Sequence, residues 1–140
     1  MKILRLIPLL LLIFGCPAVQ AEPVVVVDIR NPIERMTHEE VINIYMGRYR
    51  RLGSGAPATP IDQSDPAIRA DFYRRLVNKN PSEINAYWSR LVFSGKATPP
   101  ESAATGKDVA RILGNSSGMV AYLDRAEVTN RMRIVFEFAP

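Results

Sequence analysis

The chain has 140 residues, 47% hydrophobic and 23% charged, with a formal net charge of +4. That composition fits one globular domain and excludes a disordered or low-complexity chain. The charge excess is mild and comes with no zinc-finger spacing, RNP-like motif or long basic run, which argues against nucleic acid as a partner.

The chain opens as a secretory signal. Met1-Lys2-Ile3-Leu4-Arg5 is a basic start, Leu6 to Phe14 is apolar apart from Pro8, and Val19-Gln20-Ala21 puts small residues where a signal peptidase needs them. Residues 1–21 are therefore expected to be removed, leaving one domain over 22–140. The apolar run is too short to span a bilayer. The expected location is the periplasm. Cys16 is the sole cysteine, and Ile13-Phe14-Gly15-Cys16 weakly resembles a lipobox, but Phe14 is bulky where a small residue is usual. A cysteine discarded with the signal is the stronger reading, and the mature chain then has no disulfide and no thiolate chemistry.

Pro23 to Ile29 is an unbroken β-branched run, expected to be a strand buried on both faces, as in a parallel sheet. Thr37-His38-Glu39-Glu40 is a capping box that opens a first helix with Val41, Ile44 and Tyr45 inward, ending at Gly47. Arg48-Tyr49-Arg50-Arg51 begins a loop rich in glycine. Two readings of Arg48, Arg50 and Arg51 stand: a solvated loop, or a loop that attracts an anion or an acidic partner.

Ala58 to Ile61 reads as a second strand. It leads through the polar turn Asp62-Gln63-Ser64-Asp65 into a helix from Pro66 to about Asn78, with Ile68, Phe72 and Leu76 on one face. Ser64 or Asp65 can cap it, and Pro66 suits the first helical position. A strand–turn–helix joint leaves free N–H groups and a helix dipole that favour an anion, although a capped helix start needs no ligand to explain it. Asn80-Pro81-Ser82-Glu83 starts a third helix, whose spacing makes Trp88 a core residue.

Ser94 to Pro100 is a turn-rich connector. Thr105 opens a fourth helix with Val109, Ile112 and Leu113 inward, closed by Gly114 to Gly118. Met119 to Leu123 reads as a third buried strand. Met132, Ile134, Phe136 and Phe138 alternate with Arg133, Val135 and Glu137, as in a half-buried strand at a sheet edge. Strands separated by helices predict an α/β fold: three layers, with a mostly parallel sheet flanked by helices on both faces.

Catalytic chemistry is hard to find. His38 is the only histidine and lacks a His-Glu-x-x-His partner, and there is no Gly-x-Ser-x-Gly elbow and no phosphate loop. An enzyme is not expected, nor is a metal or a cofactor.

In this order the pieces resemble the periplasmic phosphate-binding proteins of ABC transporters, and more closely their short single-domain relatives. Thr37 to Arg48 is similar to a family helix ending in Phe-x-Gly-Lys, Pro60 to Leu76 to the segment after the next strand, and Gly118-Met119-Val120-Ala121-Tyr122 to a Gly-x-Ile-Gly-Tyr strand; Tyr87-Trp88 is a further landmark. The resemblance implies a single lobe of a type II periplasmic-binding-protein-like fold. It also implies a solute-binding-like role toward phosphate or another oxyanion, with a membrane transporter or periplasmic protein as partner. The ligand-binding candidates are Gln63, Ser64, Asp65 and Arg69. The family's Arg-x-Asp-x-Ser-Gly-Thr pattern is absent, however: Asp62 stands at its Arg position, Ser64 at its Asp position, and Pro66-Ala67-Ile68 at its Ser-Gly-Thr positions. The chain length also suggests only one of the family's two lobes. Asp62 and Asp65 are thus expected to turn the anion site into a self-capped turn that binds phosphate weakly. The alternative is an accessory module that keeps the fold, binds no small ligand, and meets a partner through Arg48 to Arg51.

Overall fold

The structure is a computed structural model that describes residues 14–16 and 20–140, so most of the expected signal segment lies outside the described residues. Ten elements follow in chain order: β1 (Pro23–Asp28), α1 (His38–Tyr45), β2 (Thr59–Gln63), α2 (Pro66–Val77), α3 (Pro81–Phe93), β3 (Glu101–Ala103), α4 (Gly106–Asn115), β4 (Met119–Asp124), a 3-10 turn (Arg125–Glu127) and β5 (Met132–Glu137). The strands form one sheet of order β3-β2-β4-β1-β5. β2 pairs parallel with both β3 and β4, whereas β1 pairs antiparallel with both β4 and β5. Four strands therefore share one direction and β1 alone opposes them.

The sheet has three-layer packing because its strands are apolar on both faces. Val25, Val27, Val120 and Tyr122 pack under α1, α2 and α3, while Val24, Val26, Ala121 and Leu123 pack under α4. β1 is buried at every position, as its β-branched run requires. Its setting corrects one expectation, since both its ladders are antiparallel. Burial on both faces follows from its inner position between two helical layers, which does not depend on strand direction.

The helix starts follow the sequence. Thr37 and Glu40 complete the capping box of α1, Asp65 caps α2 ahead of Pro66, Asn80 caps α3 ahead of Pro81, and Thr105 caps α4. Gly47 ends α1 at φ +77°, and a Cβ there would stand 2.5 Å from Cη2 of Trp88. Only glycine serves both that backbone conformation and that approach.

Three elements depart from expectation. β2 runs two residues further, so Asp62 and Gln63 are buried strand residues and the turn shrinks to Ser64-Asp65. β3 is a three-residue polar strand just after the Ser94–Pro100 connector, in a stretch with no expected element, held by its parallel ladder with Ile61, Asp62 and Gln63. β5 is an edge strand as expected, but its alternation breaks. The register with β1 slips between Val25 and Val26, so Val25 faces Phe136 and Val26 faces Ile134. This bulge puts Met132 and Ile134 on the α4 face and Phe136 and Phe138 on the other.

Candidate functional site

The C-terminal ends of β2, β3 and β4 lie together, because these strands are parallel neighbours, and α2 and α4 both start from that end. Ser64 and Ser102 meet there across the β2–β3 ladder, with hydroxyl oxygens 3.0 Å apart and exposed. The Ser64 N–H donates to the Ala103 carbonyl at 2.8 Å, which fixes the turn. A cleft of about 550 Å³ opens beside them, lined by Ser64, Ser102, Arg69, Asn85, Trp88 and Pro100 among others.

Asp62 is the polar centre beneath this cleft. Its side chain is buried, and its two oxygens take different partners. Oδ1 accepts from the Tyr122 hydroxyl and, at 2.8 Å, from the Gln63 N–H. Oδ2 accepts from the Tyr73 hydroxyl at 2.9 Å and from Arg69 Nε at 3.4 Å. Arg69 also donates to Asn85 Oδ1 at 3.2 Å and lies over the Tyr73 ring, 5.2 Å from its centroid. Its side chain is 17% exposed and that of Asp62 9%, so the ion pair is largely desolvated. A buried charge of this kind is tolerable only because every oxygen is bonded.

The same arrangement acts on the tyrosines. Burial, and then the adjacent Asp62 charge, push the hydroxyls of Tyr45, Tyr73 and Tyr122 well above the ordinary phenol range. They are held neutral and act as donors. Tyr45 donates to the Ile61 carbonyl at 2.9 Å, and Phe72 stacks on Tyr122 with centroids 3.7 Å apart, so the polar centre sits within an aromatic wall.

The four expected ligand residues stay within one joint but face differently. Ser64 is exposed with its hydroxyl toward Ser102. Asp65 Oδ1 accepts from the Ala67 N–H at 3.1 Å, as a cap does. Gln63 is buried, and its amide donates to the Tyr122 carbonyl at 2.8 Å. Arg69 turns inward to Asp62. The self-capping expectation therefore holds for Asp65 and is corrected for Asp62, whose carboxylate points into the core because it belongs to the strand and not to the turn. Arg48, Arg50 and Arg51 lie elsewhere, on the α1–β2 loop. There they donate to Asn43 Oδ1 (2.6 Å), the Thr98 carbonyl (3.3 Å) and the Gly55 carbonyl (3.0 Å).

Sequence reasoning missed Ser102, Asn85, Tyr73 and the role of Tyr122. Tyr122 ended a recognised strand motif, and that was a usable signal; Ser102 had none, because β3 itself was not legible. Trp88 is in the core as expected, yet its Nε1 is buried with no hydrogen-bond partner. Among the described residues no group of three or more His, Cys, Asp or Glu side chains gathers as a metal site would need, and no helix is long and apolar enough to cross a membrane.

A three-layer lobe with a ligand-sized cleft near the carboxyl ends of its parallel strands is the architecture of one lobe of a periplasmic-binding-protein-like fold. Solved structures agree on the fold. A Clostridium perfringens protein assigned as a phosphate ABC transporter substrate-binding protein, with phosphate bound, matches 82% of this chain at TM-score 0.63 and 13% identity. An ABC-type phosphate transport receptor from Vibrio cholerae matches 82% at TM-score 0.61 and 11% identity, and PstS from Borrelia burgdorferi 86% at TM-score 0.58 and 10% identity. The chain spans 44%, 45% and 49% of those three proteins, which is less than half of each. No family model and no curated protein matches the sequence. The resemblance to phosphate-binding proteins is thus established at the level of fold.

Proposed function

We propose that this protein is an exported, solute-binding-type component for phosphate or another oxyanion, working as part of or accessory to ABC-type uptake, and that its lobe binds the anion weakly. One observation carries this reading. The exposed Ser64 and Ser102 hydroxyls flank the start of α2 in a lobe built like those of phosphate-binding proteins. Hydroxyl donors beside a helix N-terminus suit an oxyanion. The affinity is low because Asp65 already occupies a cap donor and Asp62 neutralises Arg69. A Kd in the millimolar range is expected, about −4 kcal/mol. Calorimetric titration of the processed protein with phosphate and sulfate tests it. Weak heat that disappears in the double Ser64→Ala, Ser102→Ala variant supports the reading, and micromolar binding would refute the charge-blocked joint.

The Asp62–Arg69 pair favours a second reading, an accessory module that binds no small ligand. In this reading the joint serves only to hold the fold, and Arg48 to Arg51 meet a protein partner. Absence of phosphate binding both in the wild type and after Asp62→Asn, Asp65→Asn would select it.

A further inference from the structure

We propose that the outward face of α3 is a self-association surface on which a second copy of this chain packs antiparallel, with the Phe93 ring of each copy seated in a hollow at the start of the other's α3. The inference goes beyond the proposed function and does not depend on whether the cleft holds an anion.

Helical spacing gives α3 two unlike faces. Ile84 and Trp88 are buried, and Leu91 packs on the same side. Ser82, Ala86, Ser89 and Phe93 follow at steps of four, three and four on the opposite side. All four are exposed, Phe93 at 97%. Three small residues let another helix approach closely along most of this face, and one ring stands out at its end. A ring left this far in water gains nothing from the fold of one copy, and gains most from a hollow in another surface.

Such a hollow lies at the other end of the same helix. A depression of about 540 Å³ opens between α2 and the first turn of α3, lined by Ala67, Ala70, Asn80, Pro81 and Glu83 among others. Charge follows the same plan. Glu83 and Arg90, seven residues apart, run along one flank of the outward face. The Glu83 side chain is about half exposed, and its ion pair with Lys79 is long, at 4.0 Å. Among the described residues, Arg90 takes part in no ion pair.

One register satisfies all of these features. With Ala86 nearest the two-fold axis of an antiparallel pair, Glu83 of each copy comes opposite Arg90 of the other, and Phe93 reaches the other's Asn80 and Pro81. A two-fold axis pairs a surface with itself, so a ring and a hollow at opposite ends of one helix are both used twice. The charges fix the register, and the two seated rings supply most of the affinity.

Sedimentation of the processed protein tests the proposal. The wild type should dimerise with a Kd in the micromolar range. Phe93→Ser should weaken the dimer about tenfold or more, and circular dichroism checks that this exposed substitution keeps the fold. Glu83→Arg and Arg90→Glu should each weaken self-association. An equimolar mixture of those two variants should form a heterodimer at least as tight as the wild type, because it sets two arginines of one copy against two glutamates of the other. A wild type that stays monomeric at about 0.5 mM overturns the proposal. So does a dimer unaffected by Phe93→Ser, or a mixture that associates no better than its components. Phe93-dependent flotation of a monomer with phosphatidylglycerol vesicles would also overturn it, and would assign the face to a membrane.

Discussion

Replacing Asp62 by asparagine keeps the shape of the side chain and removes its charge. In the wild type the carboxylate accepts from two tyrosine hydroxyls, one main-chain N–H and Arg69. Hydrogen bonds to a buried charge contribute about 1.5–3 kcal/mol each, neutral ones about 0.5–1.5. Each tyrosine bond should therefore weaken by about 1 kcal/mol. The new amide also sets a donor against Arg69 Nε, which loses its acceptor while the guanidinium keeps Asn85, and this adds about 1 kcal/mol more. The expected loss is about 3 kcal/mol. With a urea m-value of about 1.5 kcal/mol/M, the midpoint should fall by about 2 M at unchanged m. Asp62→Ala should cost more, because it leaves both hydroxyls without their acceptor and the Gln63 N–H with only the longer bond to the Tyr122 hydroxyl oxygen.

The same variant has a functional arm. Loss of the Asp62 charge frees Arg69 for an external anion, so phosphate should bind about tenfold tighter, or about 1.4 kcal/mol. Urea denaturation and calorimetry on one preparation decide both points. A midpoint equal to the wild type would show that Asp62 does not hold the aromatic wall together. Unchanged phosphate affinity would show that Arg69 is not the cation being withheld.

Four further outcomes are expected. Gly47→Ala should destabilise by about 1 kcal/mol more than Gly55→Ala, because both positions have positive φ but only the former meets a ring; denaturant midpoints compare them. Trp88→Ala should cost about 3–5 kcal/mol, and Trp88→Phe much less because the indole N–H it removes has no partner, read as thermal stability. Stability should fall above about pH 10, where the unfolded chain loses tyrosine protons that Tyr45, Tyr73 and Tyr122 retain when folded, by about 1.4 kcal/mol per pH unit for each; the part of the phenolate absorbance that belongs to these three should appear only with unfolding. Mass spectrometry of the exported protein should show a chain beginning at Glu22, whereas a lipid-modified Cys16 start would replace that reading.

The parts of the fold that could be read from sequence were those set by local chemistry. Thr37 with Glu40, Asp65 with Pro66, and Asn80 with Pro81 each mark a helix start through side chains within three residues. β1 and β4 were readable because runs such as Val24 to Val27 leave little alternative to a buried strand. The missed features depend on contacts far along the chain. Glu101-Ser102-Ala103 has no strand signal of its own and is a strand only because β2 lies beside it. Asp62 looks like a turn residue until Tyr122, 60 positions away, supplies a buried donor. The break in β5 comes from its register with β1, which no pattern within β5 reveals.

On the proposed reading, these long-range contacts make this end of the sheet a poor open anion site. Three positive features there already have a carboxylate from the chain itself. Asp65 takes a donor at the start of α2, and Asp62 takes Arg69. The Glu127 carboxylate lies against Gly106, the first residue of α4, so closely that a Cβ there would clash with its oxygen. A tethered carboxylate acts at an effective concentration of millimolar or more without the entropy cost of capturing a free ion. Phosphate in solution must displace such groups one by one, and does so from one side of a single lobe. On that reading the joint keeps the strand–turn–helix form that suits an oxyanion, while its electrostatics are closed from within. Relieving the carboxylates singly should add affinity in steps, with the largest step at Asp62, because that charge alone is buried with its cation.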